Sequence, residues 1–222
     1  MTDLKTTPEA EAAPGLASMI RTRTMDAHTD AESSPFVEDL VGGRLPIVDY
    51  ARLTAQHHEI YKAIEEGFER NTDPTLAPFM IPGLARLRSL ESDLVFLAGE
   101  DWVGKLPILP ATAAYSSHIR QLGVDWPRGL LAHHYIRYLG DLSGGQLIRR
   151  VVRRVYRFED ERGSMFYEFP EIQSAKEFKA RYRELLDGLP WSEDEKERLI
   201  QEVALAFRFH AAIFTELKGG PG

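Results

Sequence analysis

Apolar residues recur at spacings of three and four along most of this chain, a rhythm that predicts helices from near the start to near the end. Leu16, Met19, Ile20, Arg23, Ala27 and His28 follow it, so a first helix is expected to run through His28. Ser34-Pro35 with Glu38 reads as a helix start, because a serine can cap and proline suits the first helical position. Longer helices are expected over Ile47 to Phe68, Ile81 to Leu97 and Ser192 to Leu217, the last opened by the capping box Ser192/Glu195. Gly42-Gly43, Asn71 to Pro74, Pro107 to Pro110 and Gly188 to Pro190 punctuate them. Only Leu94 to Leu97 and Ser164 to Phe169 hint at strands, and no fixed-period repeat is present. The class expected is all-α, a single-domain multi-helix bundle.

Composition narrows the function. The 222 residues, 43% hydrophobic, suffice for one good core. Met1 to Pro14, rich in Thr, Glu, Ala and Pro, reads as a disordered tail (1–14), leaving a domain over 15–218 and a flexible end at 219–222. A net charge of -7 argues against nucleic acid as the main partner. The absence of cysteine excludes disulfides, zinc-thiolate sites and thiol nucleophiles, so histidines and carboxylates must carry any metal chemistry. No apolar stretch is long enough to anchor the chain in a membrane and no signal pattern opens it, so a cytoplasmic location is expected.

One segment breaks the helical rule. His133 to Gln146 reads HHYIRYLGDLSGGQ, where a dense aromatic and basic run meets Gly140, Gly144 and Gly145. Glycine inside a helix costs about 1 kcal/mol relative to alanine, so together these lower local stability by roughly 3 kcal/mol, and something must approach that backbone closely. LSGGQ also occurs in ABC-type ATPases, and Gly99 to Lys105 fits G-x-x-x-x-G-K. That fit fails at Leu106, where a phosphate loop needs a hydroxyl, and at Pro107 and Pro110, which stop the required helix.

The seven histidines divide. None has a carboxylate three residues before it, which closes the ferritin-like di-iron option. His57-His58 and His133-His134 are helical neighbours pointing about 100° apart, so neither pair can chelate one metal and at most one of each is expected to face inward. His57, His58, His118 and His210 read as buried, hydrogen-bonded side chains. His28 has Glu32 four residues on, a carboxylate placed to orient the ring through the nitrogen that holds no metal.

Three blocks resemble the heme oxygenases: TMDAHTDAESSPFVEDL around His28, HHYIRYLGDLSGGQ around Asp141 and FPEIQSAKEFKARYRELL from Phe169. The resemblance covers residues 15 to 218 and implies an all-α heme oxygenase-like bundle with heme between a proximal and a kinked distal helix. It implies a heme-degrading monooxygenase that takes heme b as cofactor and substrate, uses O2 and electrons, and opens the ring at a meso carbon to biliverdin, CO and Fe2+. His28 would be the proximal iron ligand, oriented by Glu32. Gly140, Gly144 and Gly145 would lay bare backbone over the other face, Ser143 beside them, with Asp141 anchoring distal waters. A neutral imidazole in place of a thiolate suits this chemistry.

Heme propionates call for cations. Arg21 lies seven residues before His28, two turns back along the same expected helix, where the family usually has Lys, and Met25 stands where some relatives carry a second lysine. Tyr135, Lys179 and Arg183 correspond to propionate contacts in relatives, although Lys179 and Arg183 taken alone also read as a solvated helix face. His210 replaces the family's common asparagine, which would rewire a buried contact. Tyr61 and Arg137 match residues that order distal waters, and equally fit plain packing. Arg149, Arg150, Arg153, Arg154 and Arg157 form a basic stripe that is either a solvated face or a docking patch for an acidic electron donor, a reductase or ferredoxin. A heme-binding carrier or sensor is the alternative; Asp141 beside helix-breaking glycines argues against it, since a storage pocket needs neither.

Overall fold

The longest internal helix lies at the centre because apolar side chains occupy most of its faces. In a computed structural model, which describes residues 14–219, this is α4 (Ile47–Glu69), and its Tyr50, Leu53, Ile60, Tyr61 and Ile64 are all buried. The other helices are α1 (Leu16–Arg23), α2 (Met25–Glu32), α3 (Pro35–Val41), α5 (Leu87–Ala98), α6 (Trp102–Lys105), α7 (Pro110–Asp125), α8 (Leu130–Asp141), α9 (Gly144–Tyr156), α10 (Ala175–Asp187) and α11 (Glu193–Gly219). Short 3-10 turns join several of them, and no strand occurs among the described residues.

α5 and α7 flank α4, while α11 runs past α2, α3, α7 and α8 and ties the two ends of the chain together. One contiguous apolar cluster draws on residues from Leu16 to Leu217. Burying a Leu, Ile or Phe side chain stabilises by roughly 1.5–3 kcal/mol, so this cluster, more than any cap, sets the helix positions. The caps set the ends. Ser34 Oγ accepts from the Val37 N–H at 3.3 Å, and Ser192 and Glu195 complete their reciprocal box at 3.2 and 3.1 Å. Asp187 at the end of α10 accepts from the Ala17 N–H at 2.7 Å, which satisfies a free donor of α1 and docks it.

Several sequence expectations are corrected. The first helix does not run through His28. It stops at Thr24, whose hydroxyl donates back to the Ile20 carbonyl at 2.9 Å, and α2 starts afresh, so Arg21 and His28 sit on different helices. Leu94 to Leu97 is helical, inside α5, which begins at Leu87 and not at Ile81. Ser164 to Phe169 holds a 3-10 turn, because Asp93 takes the Met165 and Phe166 N–H groups at 3.0 and 2.8 Å and no strand ladder forms. His133 and His134 are both buried, since α8 is walled on all sides: His133 meets Tyr115 of α7 and His134 meets Phe68 of α4. Most of the expected tail (residues 1–13) and end (residues 220–222) lies outside the described residues.

Candidate functional site

Two short helices and a broken one enclose a cavity of about 480 Å³, within the usual range for cofactor pockets. One wall carries Arg21 of α1 and Met25, His28 and Glu32 of α2. The facing wall is the end of α8 and the start of α9, with Gly140, Asp141, Ser143, Gly144 and Gly145. Tyr135 and Arg183 also line it, as do His57, Phe207, His210 and Phe214. The His28 side chain is 44% exposed, lies edge-on to Phe207 with centroids 5.2 Å apart, and has its Nε2 3.3 Å from Glu32 Oε1. Ligation through Nε2 therefore turns the ring away from Glu32 or takes that contact from it.

The facing wall is bare by construction. A Cβ at Gly140 or Gly144 would meet no atom within 4 Å, so both positions leave their backbone open to the cavity. Gly145 is glycine for a second reason: a Cβ there would come within 3.0 Å of the Tyr167 ring. Between them Ser143 adopts φ -122°, ψ -92°, which separates α8 from α9. The break is held from several sides. Ser143 Oγ donates to the Leu139 carbonyl at 2.7 Å, Gln146 Nε2 donates to the carbonyls of Asp141 and Tyr167 at 3.1 and 2.9 Å, and Lys179 Nζ donates to Ser143 Oγ at 2.7 Å. Lys179 thus braces the bend and is not part of the cavity lining, unlike Arg183 one turn later.

Behind the glycines sits a buried polar network. Tyr61 OH donates to Asp141 Oδ2. Burial pushes the Asp141 carboxyl up to about 6, against the opposing pull of Arg137 and the Tyr61 hydrogen bond. The Arg137 guanidinium lies 4.9 Å from the Tyr61 ring centroid, and its Nη1 is 3.3 Å from His210 Nε2. Burial, then the charge of Arg137, holds the imidazoles of His57 and His210 well below their usual range, so both are neutral. Arg137 Nε and Nη2 are buried without a hydrogen-bond partner among the described residues. Unpaired buried donors cost about 1–3 kcal/mol each, so these N–H groups call for an acceptor inside the cavity. A bare backbone face opposite a single imidazole, with polar donors set behind one wall, fits a flat iron-bearing macrocycle with a small ligand on its far side.

Of the heme-site residues expected from the sequence, His28, Arg21, Glu32, Tyr135, Gly140, Asp141, Ser143, Gly144, Gly145 and Arg183 line this one cavity, whereas Lys179 and Tyr61 stand behind its lining. His57, Phe207, Phe214 and Tyr167 line it too and were not foreseen; nothing in their spacing distinguishes them from core side chains. A larger groove of about 810 Å³ beside α10, walled by Pro78, Ile81, Phe178 and Leu185, opposes no imidazole to a carboxylate. The arginine stripe lies on α9 and on Arg157 that follows it, and it splits: Arg149 and Arg153 pair with Glu161, and Arg149 also with Glu168, whereas Arg150, Arg154 and Arg157 are exposed.

The heme oxygenase family model matches residues 14–216. The chain is 37% identical over 218 residues to a heme oxygenase of Takifugu rubripes, covering 97% of this chain and 79% of that protein. It superposes on the heme complex of heme oxygenase-1 from Synechocystis sp. PCC6803 with a TM-score of 0.87 at 36% identity, covering 93% of each chain. The heme oxygenase of Leptospira interrogans matches equally well, with a TM-score of 0.87 and 37% identity over 91% of this chain and all (100%) of that one. With this fold and this cavity, the chain belongs to the heme oxygenase family.

Proposed function

We propose that the cavity holds heme b between His28 and the α8–α9 bend, and that the chain opens the ring at a meso carbon to give biliverdin, CO and Fe2+. The observation that carries this reading is the opposition of His28 to the bare Gly140 and Gly144 backbone with Asp141 immediately behind. When bound, heme supplies both the iron that activates O2 and the carbon that is oxidised. The protein supplies the rest. His28 would offer its imidazole to the iron, the contact between its Nε2 and Glu32 yielding if that nitrogen ligates. Gly140, Gly144 and Gly145 keep side chains off the distal face, so that main chain alone would position a bound ring there. Asp141, with its carboxyl near 6, both holds and gives up a proton around neutral pH, and Tyr61 fixes the oxygen that accepts it. Arg137, with two buried N–H groups free to donate, keeps a positive charge beside Asp141. Arg21, Tyr135 and Arg183 face the propionates, Ser143 shapes the distal bend, and Lys179 serves through Ser143.

Residues 15–218 constitute one domain, working in the cytoplasm. No described helix is long and apolar enough to cross a membrane. Ring opening needs repeated electron delivery, and the exposed Arg150, Arg154 and Arg157 offer a face for a reductase or ferredoxin of opposite charge. Mixing the protein with heme, O2 and a reductant tests the core of this reading. The Soret band should decay as bile pigment absorption grows; a band that persists through repeated reduction marks a carrier or sensor.

A further inference from the structure

A second constellation of metal-binding side chains lies outside the heme cavity. His118 of α7, His133 of α8 and Glu202 of α11 come from three different helices, and one ligand atom from each lies within 4.8 Å of the other two. Both imidazoles approach the same carboxylate oxygen: Nε2 of His118 is 2.6 Å and Nε2 of His133 is 3.1 Å from Glu202 Oε1. We propose that these three residues bind a first-row divalent cation of the Zn2+ or Fe2+ type, at a site independent of the heme-binding reading.

The chemistry of the donor set carries the assignment. Two imidazoles and one carboxylate form a coordination set used for zinc with an open fourth position, and for ferrous iron. Bond lengths of about 2.0–2.2 Å in tetrahedral geometry put ligand atoms roughly 3.3 Å apart. The His133–Glu202 pair already has nearly that separation, and His118 needs to draw back by about 0.7 Å from its present 2.6 Å. The ligand nitrogens are also prepared. Without a cation the neutral His133 ring donates its Nε2–H to Glu202, and Tyr115 OH lies 2.9 Å from Nδ1; a cation that takes Nε2 moves the ring proton to Nδ1, where the tyrosine oxygen accepts it, the outer-sphere arrangement that metal-binding histidines ordinarily have. Burial keeps His133 neutral, and the hydrogen bonds from both histidines, outweighing burial, hold the Glu202 carboxyl below its usual range.

Access and rigidity complete the picture. His133 is fully buried, Glu202 is 11% exposed and His118 is 29% exposed, so a cation enters from solvent past His118 and meets progressively drier ligands. Phe209 walls the inner side, 5.3 Å from the His118 ring and 4.8 Å from Tyr115. A bound ion would pin α7, α8 and α11 together just behind Tyr115, whose ring in turn meets His210 of the heme cavity.

Calorimetric titration of the full chain with Zn2+ tests the site. One equivalent should bind with a micromolar or lower Kd, and both His118→Ala and Glu202→Gln should weaken binding at least tenfold while leaving the heme spectrum unchanged. His28→Ala should not alter this Zn2+ affinity. A zinc-edge anomalous difference map of soaked crystals should place one peak between the three side chains, and zinc should raise the melting temperature of the wild-type chain but not of His118→Ala. Zinc affinity equal in His118→Ala and wild type, or lost only in His28→Ala, or a peak elsewhere, overturns the assignment.

Discussion

The two walls of the heme cavity are built on opposite plans. The wall bearing His28 belongs to a two-turn helix that buries only Ala31, and the imidazole proposed as iron ligand is half exposed beside one carboxylate. Behind the wall bearing Asp141 the side chains of Asp141, Tyr61, Arg137 and His210 are buried, and Gln146 and Lys179 cross-link the bend. A ligand atom needs only to be reachable, because the bond to iron orients it. A proton donor must already stand in place before the reaction, and low-dielectric surroundings make its hydrogen bonds both stronger and less forgiving. Investment in structure therefore falls on the side where geometry must pre-exist the substrate.

That contrast predicts asymmetric mutational effects. His28→Ala should abolish the histidine-ligated heme spectrum yet change apoprotein stability by no more than about 0.5 kcal/mol, as for other exposed side chains. Spectroscopy of the loaded variant and melting of the empty one check both halves; an unchanged spectrum would move the ligand elsewhere.

Asp141→Asn should do the reverse on the facing wall, sparing heme ligation while lowering bile pigment formation by about 10²–10⁴-fold. It also carries a stability signature. The folded carboxyl titrates near 6, above its ordinary 3.8. Below the lower value the wild type enjoys the full benefit of a neutral buried acid, and that benefit drains away as pH rises to the upper one. The asparagine variant has no charge to gain, so relative to wild type it should gain roughly 2–3 kcal/mol between pH 4 and pH 7, read by denaturant melts. A flat difference across that window would mean that Asp141 ionises freely.

Gly140→Ala separates folding from substrate fit. Its Cβ meets nothing within 4 Å in the empty cavity, so the apoprotein should gain up to about 1 kcal/mol of helix stability. Heme should bind about tenfold more weakly, because overpacking a filled site costs roughly 1–3 kcal/mol. Unaltered heme affinity would show that the bound ring does not press on that backbone. The smallest effect is expected on the outer surface. Replacing Arg150, Arg154 and Arg157 by Glu should cut the reductase-supported rate by about tenfold at low salt and leave turnover with a small-molecule reductant untouched.

Much of the site was legible because its signals are local. The His28–Glu32 pair is a helical i, i+4 relation, and the Gly140 to Gly145 run is so unfavourable for a helix that it requires a close neighbour. The Ser192/Glu195 box is likewise a short-range code. One misreading comes from a local bond, and the others come from side chains that reach beyond their own segment. Thr24 ended α1 through its own hydroxyl, without Gly or Pro to mark the stop. Asp93, seventy residues away in the chain, claimed the backbone donors of Met165 and Phe166. Lys179 sat at the right turn of α10, but Ser143 was nearer than the cavity. His134 was drawn inward by Tyr182 OH at 2.8 Å, and His133 by Tyr115 and Glu202, partners from α10, α7 and α11 that no spacing rule reveals.

The break at Thr24 bears on how a catalytic cycle ends. A tetrapyrrole that has been cut open and stripped of iron no longer holds the imidazole, and the small helix carrying that imidazole has little buried surface of its own to keep it docked. Separated from α1 by a single threonine and buried only at Ala31, it is the wall whose displacement would expose least side-chain core, so pigment release is expected on this side of the cleft.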